Sequence, residues 1–278
     1  MTQKPLILAV ETSSRIGSVA VALGEKMLAE AQLSGPMRHS AEILPAIRGL
    51  LDRFSREPTE IDQIYISGGP GSFTGLRIAV TMAKTMHIAN AVKIVAVDTL
   101  DVIAANIISL DAENTFQDSG HEPRPFQGRD EQQATSNERI AAILDAKRGQ
   151  FFIAVYERNT CHVPRNTSHE SRVASYGIWQ KILPDSLMTT SQFLDKFAAA
   201  DQPIWLLGDG LLYYKDKFKA DGIRFLDEKY WSPRAEKVHL LGWQKALAGQ
   251  FADPLTLQPS YLRAPDVKVK PKQPKNTT

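Results

Sequence analysis

The sequence predicts an α/β protein in which helices flank mixed sheets, arranged as two lobes. Two observations predict it. Three strand-like runs come first in hairpin order, which gives antiparallel neighbours, and a helix, strand, helix, strand, helix series follows, whose crossovers give parallel ones. A polar stretch over residues 111–138 then interrupts the pattern, and beyond it a second hairpin begins. With 278 residues the chain can bury a sizeable core, and 43% hydrophobic with 23% charged residues is the balance of a globular protein.

Leu6 to Val10 is a continuous apolar run, as a central strand should be. Glu11-Thr12-Ser13-Ser14 ends it, Ser18 to Leu23 forms a second strand, and Gly24-Glu25-Lys26 turns into a weaker third from Met27 to Leu33. The helix expected next carries Ile43, Leu44, Ile47, Leu50, Leu51 and Phe54 on one face, with Ser40 as its cap and Glu42 where the helix dipole favours an anion. Pro45 has no N–H to give to a helix interior, so the regular helix is expected to begin a few residues after Ser40.

Ile64-Tyr65-Ile66 is a short buried strand closed by Gly68-Gly69-Pro70-Gly71. Ser72 or Thr74 caps the helix beyond it, in which Leu76, Val80, Ala83 and Met86 recur at helical spacing. Lys93 to Val97 is a strand and Thr99 to Leu110 a helix. After the polar insertion, Arg139 to Leu144 and Phe151 to Tyr156 form a hairpin around Asp145-Ala146-Lys147-Arg148-Gly149-Gln150. Thr160 to Val173 reads as a loop holding Cys161, Thr190 or Ser191 caps a helix through Ala199, and Pro203 to Leu207 is a strand ending at Gly208-Asp209-Gly210. Ser232-Pro233 opens the last helix, whose apolar stripe of Val238, Leu241 and Leu247 is broken by Gly242. The expected division is a first lobe of residues 1–110 with 233–262, a second of 139–232, and a disordered basic tail over 263–278.

The glycine turn before residue 72 invites a phosphate-binding reading, because a helix N-terminus there points free N–H groups outward. The spacing argues against the two common forms. Only three residues separate Gly71 from Gly75, where a P-loop has four, and Leu76 and Arg77 follow, so there is no P-loop, and Thr74 stands where a dinucleotide fingerprint has its third glycine. What remains from spacing alone is a tight turn whose glycines allow close packing.

Charge and cysteine content narrow the classes further. A net charge of +2 is too small to mark a nucleic-acid binder, so any RNA contact is local or borrowed from a partner. The single cysteine excludes an intramolecular disulfide and a cysteine-rich zinc site, which suits the cytoplasm. No run approaches the roughly 18 apolar residues of a spanning helix, so no membrane association is expected. His39 has Ile43 four residues on, where a helical metal pair would place a second histidine, and His87, His121, His162, His169 and His239 have no ligand spacing. A metallopeptidase therefore lacks its metal ligands, and Cys161 beside His162 is weak ground for nucleophilic catalysis.

Gly68-Gly69-Pro70-Gly71-Ser72-Phe73-Thr74-Gly75-Leu76-Arg77-Ile78 resembles the signature of the bacterial TsaB (YeaZ) family of tRNA threonylcarbamoyladenosine biosynthesis proteins. Weaker likenesses recur at residues 145–150, 208–210 and 259–263. The resemblance implies the two-lobed actin-like/sugar-kinase-like (ASKHA) ATPase superfold. It also implies a non-catalytic scaffold that binds and activates a TsaD-type catalytic subunit, which transfers a threonylcarbamoyl group to the adenosine beside the anticodon of tRNAs reading A-starting codons. A TsaE-type ATPase would bind the assembled pair, with ATP and metal on the partner subunits and none bound independently here. The tRNA would be reached through the complex, and a homodimer could form when TsaD is absent.

The partner-binding residues carried over are His39, Ser40, Leu44, Leu76, Arg77, Val80 and Ala83 on the two helices that follow residues 38 and 72. Ala79 and Ala83, one turn apart, would let a partner helix approach closely, while Ile78 and Met82 lie off the Leu76-Val80-Ala83 face. The alternative class is a stand-alone actin-like ATPase or small-molecule kinase. It would need a glycine-containing phosphate loop after Val10 and an acidic residue beside a glycine turn, and Glu11 and Asp209 keep it open.

Overall fold

The computed structural model describes residues 4–35, 38–114, 135–161 and 179–263. The first sheet contains β1 (Leu6–Glu11), β2 (Ser18–Leu23), β3 (Lys26–Gln32), β4 (Gln63–Gly69) and β5 (Lys93–Asp98) in the order β3-β2-β1-β4-β5. The second contains β6 (Thr135–Asp145), β7 (Gln150–Cys161), β8 (Gln180–Thr189), β9 (Ile204–Leu207) and β10 (Ile223–Phe225) in the order β10-β9-β6-β7-β8. Taken from its other end, the second sheet repeats the first, strand for strand. The directions repeat as well. The first three strands of each sheet pair antiparallel, and the first, fourth and fifth pair parallel. This duplicated mixed sheet, flanked by helices, is the two-lobed actin-like/sugar-kinase-like architecture.

Helices α1 (His39–Arg53) and α2 (Phe73–Asn90) cover one face of the first sheet, through a cluster that includes Leu8, Val10, Ile47, Leu51, Ile64, Ile66 and Ala79. The other face is covered by the last helix, which buries Ala235 and Val238 against Ile7, Ala9 and Tyr65. Helix α3 (Thr99–Asn114) lies where the two sheets meet: Leu100, Ile103, Ala104 and Ile107 enter the core of the second lobe, while Val102 belongs to that of the first. Its Asn106 donates to the carbonyls of Tyr230 and Ser232, both at 2.9 Å, fixing the segment that leads into the last helix. The second lobe is completed by α4 (Thr190–Phe197), α5 (Leu211–Tyr214) and an aromatic cluster of Phe151, Phe193, Tyr214 and Phe218. Among the described residues no helix is long and apolar enough to cross a membrane.

Several elements depart from the sequence-based expectation. Helix α1 starts at His39 with Arg38 at its cap position and no side-chain cap bond, so Ser40 lies inside the first turn and does not cap. Pro45 sits within the helix; it is exposed, so the Ala41 carbonyl that its missing N–H would have met faces water. Helix α3 runs to Asn114 and β6 begins at Thr135, so both intrude on the expected insertion, whose residues 115–134 lie outside the described ones. Cys161 is the last residue of β7 and not a loop residue. Strands β8 and β10 were not expected. Thr189, one residue earlier than expected, caps α4 through a reciprocal bond with Gln192. The final helix, α6 (Ala235–Leu247), starts after Arg234, not at Pro233. Gly242 does not merely break its stripe: a Cβ there would stand 2.5 Å from Cδ2 of the buried Tyr65 ring, so the glycine lets α6 lie flat on the sheet. His121, His162, His169 and the tail beyond residue 263 are outside the described residues.

Candidate partner-docking groove

The glycine turn does its work inside the chain. A Cβ on Gly75 would fall 1.8 Å from the Thr12 carbonyl oxygen, and one on Gly71, at φ +159°, 2.4 Å from that of Ser13. The backbone of the loop after β1 therefore lies directly on the start of α2. Ser72 N–H donates to the Ser13 carbonyl at 2.7 Å, and Thr12 Oγ1 donates to the Gly75 carbonyl at 2.8 Å. Ser72 also caps α2, its hydroxyl accepting from Gly75 N–H at 3.3 Å. Two of the N–H groups at this helix start, those of Ser72 and Gly75, are therefore bonded to protein.

The residues that a nucleotide of this superfold would meet are engaged likewise. Glu11 is fully buried and accepts from Ser13 N–H at 2.6 Å, from the Ser13 hydroxyl at 2.5 Å and from the Ser67 hydroxyl; burial pushes its carboxyl up from the usual range despite these bonds. Across the lobes, Asp209 Oδ2 accepts from Arg15 N–H at 3.4 Å, and burial pushes the Asp209 carboxyl up to about 7. Its Oδ1 is buried and has no hydrogen-bond partner. The loop after β1 and the glycine turn after β9 thus touch each other through Arg15 and Asp209. Among the described residues no group of three or more His, Cys, Asp or Glu is placed to hold a metal ion.

What the first lobe does offer is a groove of about 870 Å³ between α1 and α2. Ile43, Ile47 and Ile61 form its floor, Leu44, Phe73, Ile78 and Met82 its apolar walls, and Ser40, Arg48, Thr74, Arg77, Thr81 and Thr85 its polar edge. Leu44 is 64% exposed and Phe73 44%, an unusual display of large apolar side chains at a helix pair. Phe73 is held from behind by the Tyr261 ring, centroids 5.2 Å apart, and the Arg77 guanidinium lies 5.1 Å from its centroid. At the head of α1, Glu42 accepts from the Ser34 hydroxyl at 2.6 Å and Ser34 N–H at 2.8 Å and pairs with Arg38 at 2.9 Å, which holds its carboxyl down at about 2. The head of α1 is thereby tied to the end of the preceding segment through an ionised Glu42.

The TsaD model, tRNA N6-adenosine threonylcarbamoyltransferase, matches residues 34–118, which span both groove helices. Over its whole length the chain resembles another protein set. The TsaB tRNA threonylcarbamoyladenosine biosynthesis protein of Bacillus subtilis is 26% identical over 268 residues, 95% of this chain and 96% of the relative. That of Escherichia coli is 23% identical, covering 92% and 94%. In structure, YeaZ from Pseudomonas aeruginosa superposes with a TM-score of 0.66 at 20% identity, over 93% of this chain and all of that one, a likeness that concerns the fold. The likeness to the TsaB (YeaZ) proteins thus runs over nearly the whole chain.

Of the residues carried over from the TsaB resemblance, the groove brings together Ser40, Leu44 and Arg77. The others lie outside the groove. Leu76 and Ala83 are fully buried and Val80 is 6% exposed, because this stripe of α2, with Ala79, faces its own sheet; the small residues bring the helix close to that sheet and not to a partner. His39 is buried beneath the loop after β1, where a Cβ on Gly17 would stand 2.5 Å from its Cδ2, and burial pushes its imidazole pKa down. Thr81, Thr85, Ile61 and the backing ring of Tyr261 were missed. Thr81 and Thr85 had a usable signal, since they continue the Ile78 and Met82 face one turn at a time.

Proposed function

We propose that this chain is a non-catalytic subunit in the biosynthesis of threonylcarbamoyladenosine on tRNA, acting by docking its α1–α2 groove on a TsaD-type catalytic subunit and holding it in its competent state. The observation that carries the reading is the exposed apolar groove, built on the family's signature segment, in a chain whose glycine turn is packed against its own Thr12 and Ser13 backbone. A helix pair of the partner laid between α1 and α2 would cover Leu44, Phe73, Ile78 and Met82 and leave the threonines and Arg77 at a polar rim. On this reading ATP and metal reside on partner subunits, a TsaE-type ATPase joins the assembled pair, and the work is cytoplasmic. The same groove would pair two copies when the catalytic subunit is absent.

The test is size exclusion with light scattering of the chain mixed with the TsaD-type protein of its host. Wild type is expected to form a heterodimer. Ile78→Glu with Met82→Glu is expected to remain folded by circular dichroism and to lose it, since neither side chain is in the fully buried core. Leu44→Glu, at a still more exposed position, repeats the test independently. Absence of a wild-type complex, or complexes that survive both variants, overturns the reading.

A further inference from the structure

A second surface, on the opposite theme of charge, lies where the lobes meet. The β6–β7 turn holds Lys147 at φ +63° and Arg148 at φ +57°, followed by Gly149 at φ +75°. Two consecutive bulky residues in the left-handed region cost stability that Gly or Asn at the same positions would spare. Strain kept at a particular pair of side chains points to a use for those side chains. The turn is also pinned from outside the lobe: Arg263 donates to the carbonyls of Ala146 at 2.8 Å and Lys147 at 3.4 Å.

Around the turn the cations gather on an aromatic platform. Tyr213 is 47% exposed, with the Lys147 ammonium 5.0 Å and the Arg15 guanidinium 5.8 Å from its ring centroid, and the Lys217 ammonium lies 5.3 Å from the neighbouring Tyr214 ring. Arg15 belongs to the first lobe, Lys147, Arg148 and Lys217 to the second, and Arg263 to the closing segment, so five cations converge from four segments. The acidic groups around the turn are paired or buried, while Asp216, beside Lys217, is exposed. Asp145 is tied up by the Lys147 ammonium and N–H and by the Tyr214 hydroxyl at 2.9 Å, Asp209 is buried with its carboxyl pushed up, and Glu11 is buried beneath its serines. In a chain of net charge +2, this is a concentrated local positive surface.

We propose that the interlobe strip of Arg15, Lys147, Arg148 and Arg263 around Tyr213 is an RNA-docking surface, in which the cations take successive backbone phosphates and the exposed tyrosine meets an unpaired base. Phosphate recognition by cations carried on separate loops fixes the register of an RNA, and an aromatic face accepts any base by stacking. The inference rests on the tRNA role proposed above, extending it from a subunit that acts only through its partner to one that touches the RNA itself. Free nucleotides share the phosphate chemistry and are separated from RNA by the test.

The test measures tRNA binding by fluorescence anisotropy, across a salt series, with the preformed complex of this chain and its TsaD-type partner. Lys147→Glu with Arg148→Glu is expected to weaken binding at least tenfold and to make log K against log salt shallower by about one for each phosphate no longer engaged. The heterodimer, followed by light scattering, is expected to be unchanged, so failure here is distinguishable from failure of the docking groove. Arg148→Gly supplies the second arm: it removes a cation and the left-handed strain together, and is expected to raise Tm while weakening RNA binding. Unchanged tRNA affinity in both variants with the heterodimer intact overturns the proposal. So does a loss of affinity for ATP with none for tRNA.

Discussion

Asp209 is a carboxyl with too little around it. Its Oδ2 has one long bond from Arg15 N–H, its Oδ1 has none, and Asp145 and Glu11 add negative charge nearby, against which the Arg15 cation gives only partial help in holding it ionised. An acid whose folded pKa is raised keeps its proton in the native state after the unfolded chain has lost it. Stability then falls as pH rises from about 4, the unfolded value, to about 7, and is flat for this group above that. The loss is about 1.4 kcal/mol for each pH unit across the window, so at most about 4 kcal/mol. Asp209→Asn is therefore expected to be more stable than wild type at pH 8 and nearly equal at pH 4 in urea titrations. Glu11 is shifted in the same direction, so a residual slope remains in the variant. Both carboxylates were singled out in the sequence as acids that a stand-alone ATPase or kinase would need. Their environment was not, because it is made by segments about 50 and 200 residues away: Ser67 for Glu11 and Arg15 for Asp209. The glycines of the signature are similar. Their need for close approach could be read, but not that Thr12 and Ser13 would be what approaches.

At the scale of the element, α2 has two apolar faces, and only the fold says which is inward. Leu76, Ala79, Val80 and Ala83 meet the sheet, whereas Phe73, Ile78 and Met82 look into the groove. Periodicity identified the stripes but not their assignment, since both are apolar and both repeat every three to four residues. The assignment predicts opposite behaviour for two leucines. Leu76→Ala empties a fully buried site and is expected to cost about 2–5 kcal/mol of stability, with docking reduced only through unfolding. Leu44→Ala is expected to change stability by no more than about 0.5 kcal/mol and to weaken the heterodimer by about 1 kcal/mol or more. Denaturant midpoints and titration calorimetry on the two variants check this pair. Strands β8 and β10 escaped for a different reason. β8 is an edge strand, exposed or half-buried throughout, with Pro184 and the charges of Lys181 and Asp185 to keep such an edge from pairing further, so its sequence carries little of the alternation that marks an interior strand. β10 is three residues long.

For the whole molecule, the mixture of antiparallel and parallel pairing was legible in the first lobe because hairpins and crossovers leave different intervals in sequence, and the duplication became visible only once β8 and β10 completed the second sheet. The closing segment has a particular position between the lobes. Ser260 N–H donates to the Gly68 carbonyl at 2.7 Å, Tyr261 stacks on Phe73, and Arg263 holds the β6–β7 turn of the other lobe. Residues 259–263 thereby connect the signature turn, the wall of the docking groove and the strained cationic turn. Neither surface is then independent of the other. A chain ending at Gln258 is expected to keep both cores, since residues 259–263 add nothing to them, but to let Phe73 swing and the β6–β7 turn relax. Hydrogen exchange should become faster at residues 73–77 and 146–150 and stay unchanged in β1 and β6, and heterodimer affinity should fall. Tyr261→Ala should reproduce the loss at the groove alone, and Arg263→Ala the loosening at the turn alone. If the truncated chain exchanges as wild type at both places, the closing segment is a passenger and the two surfaces are uncoupled.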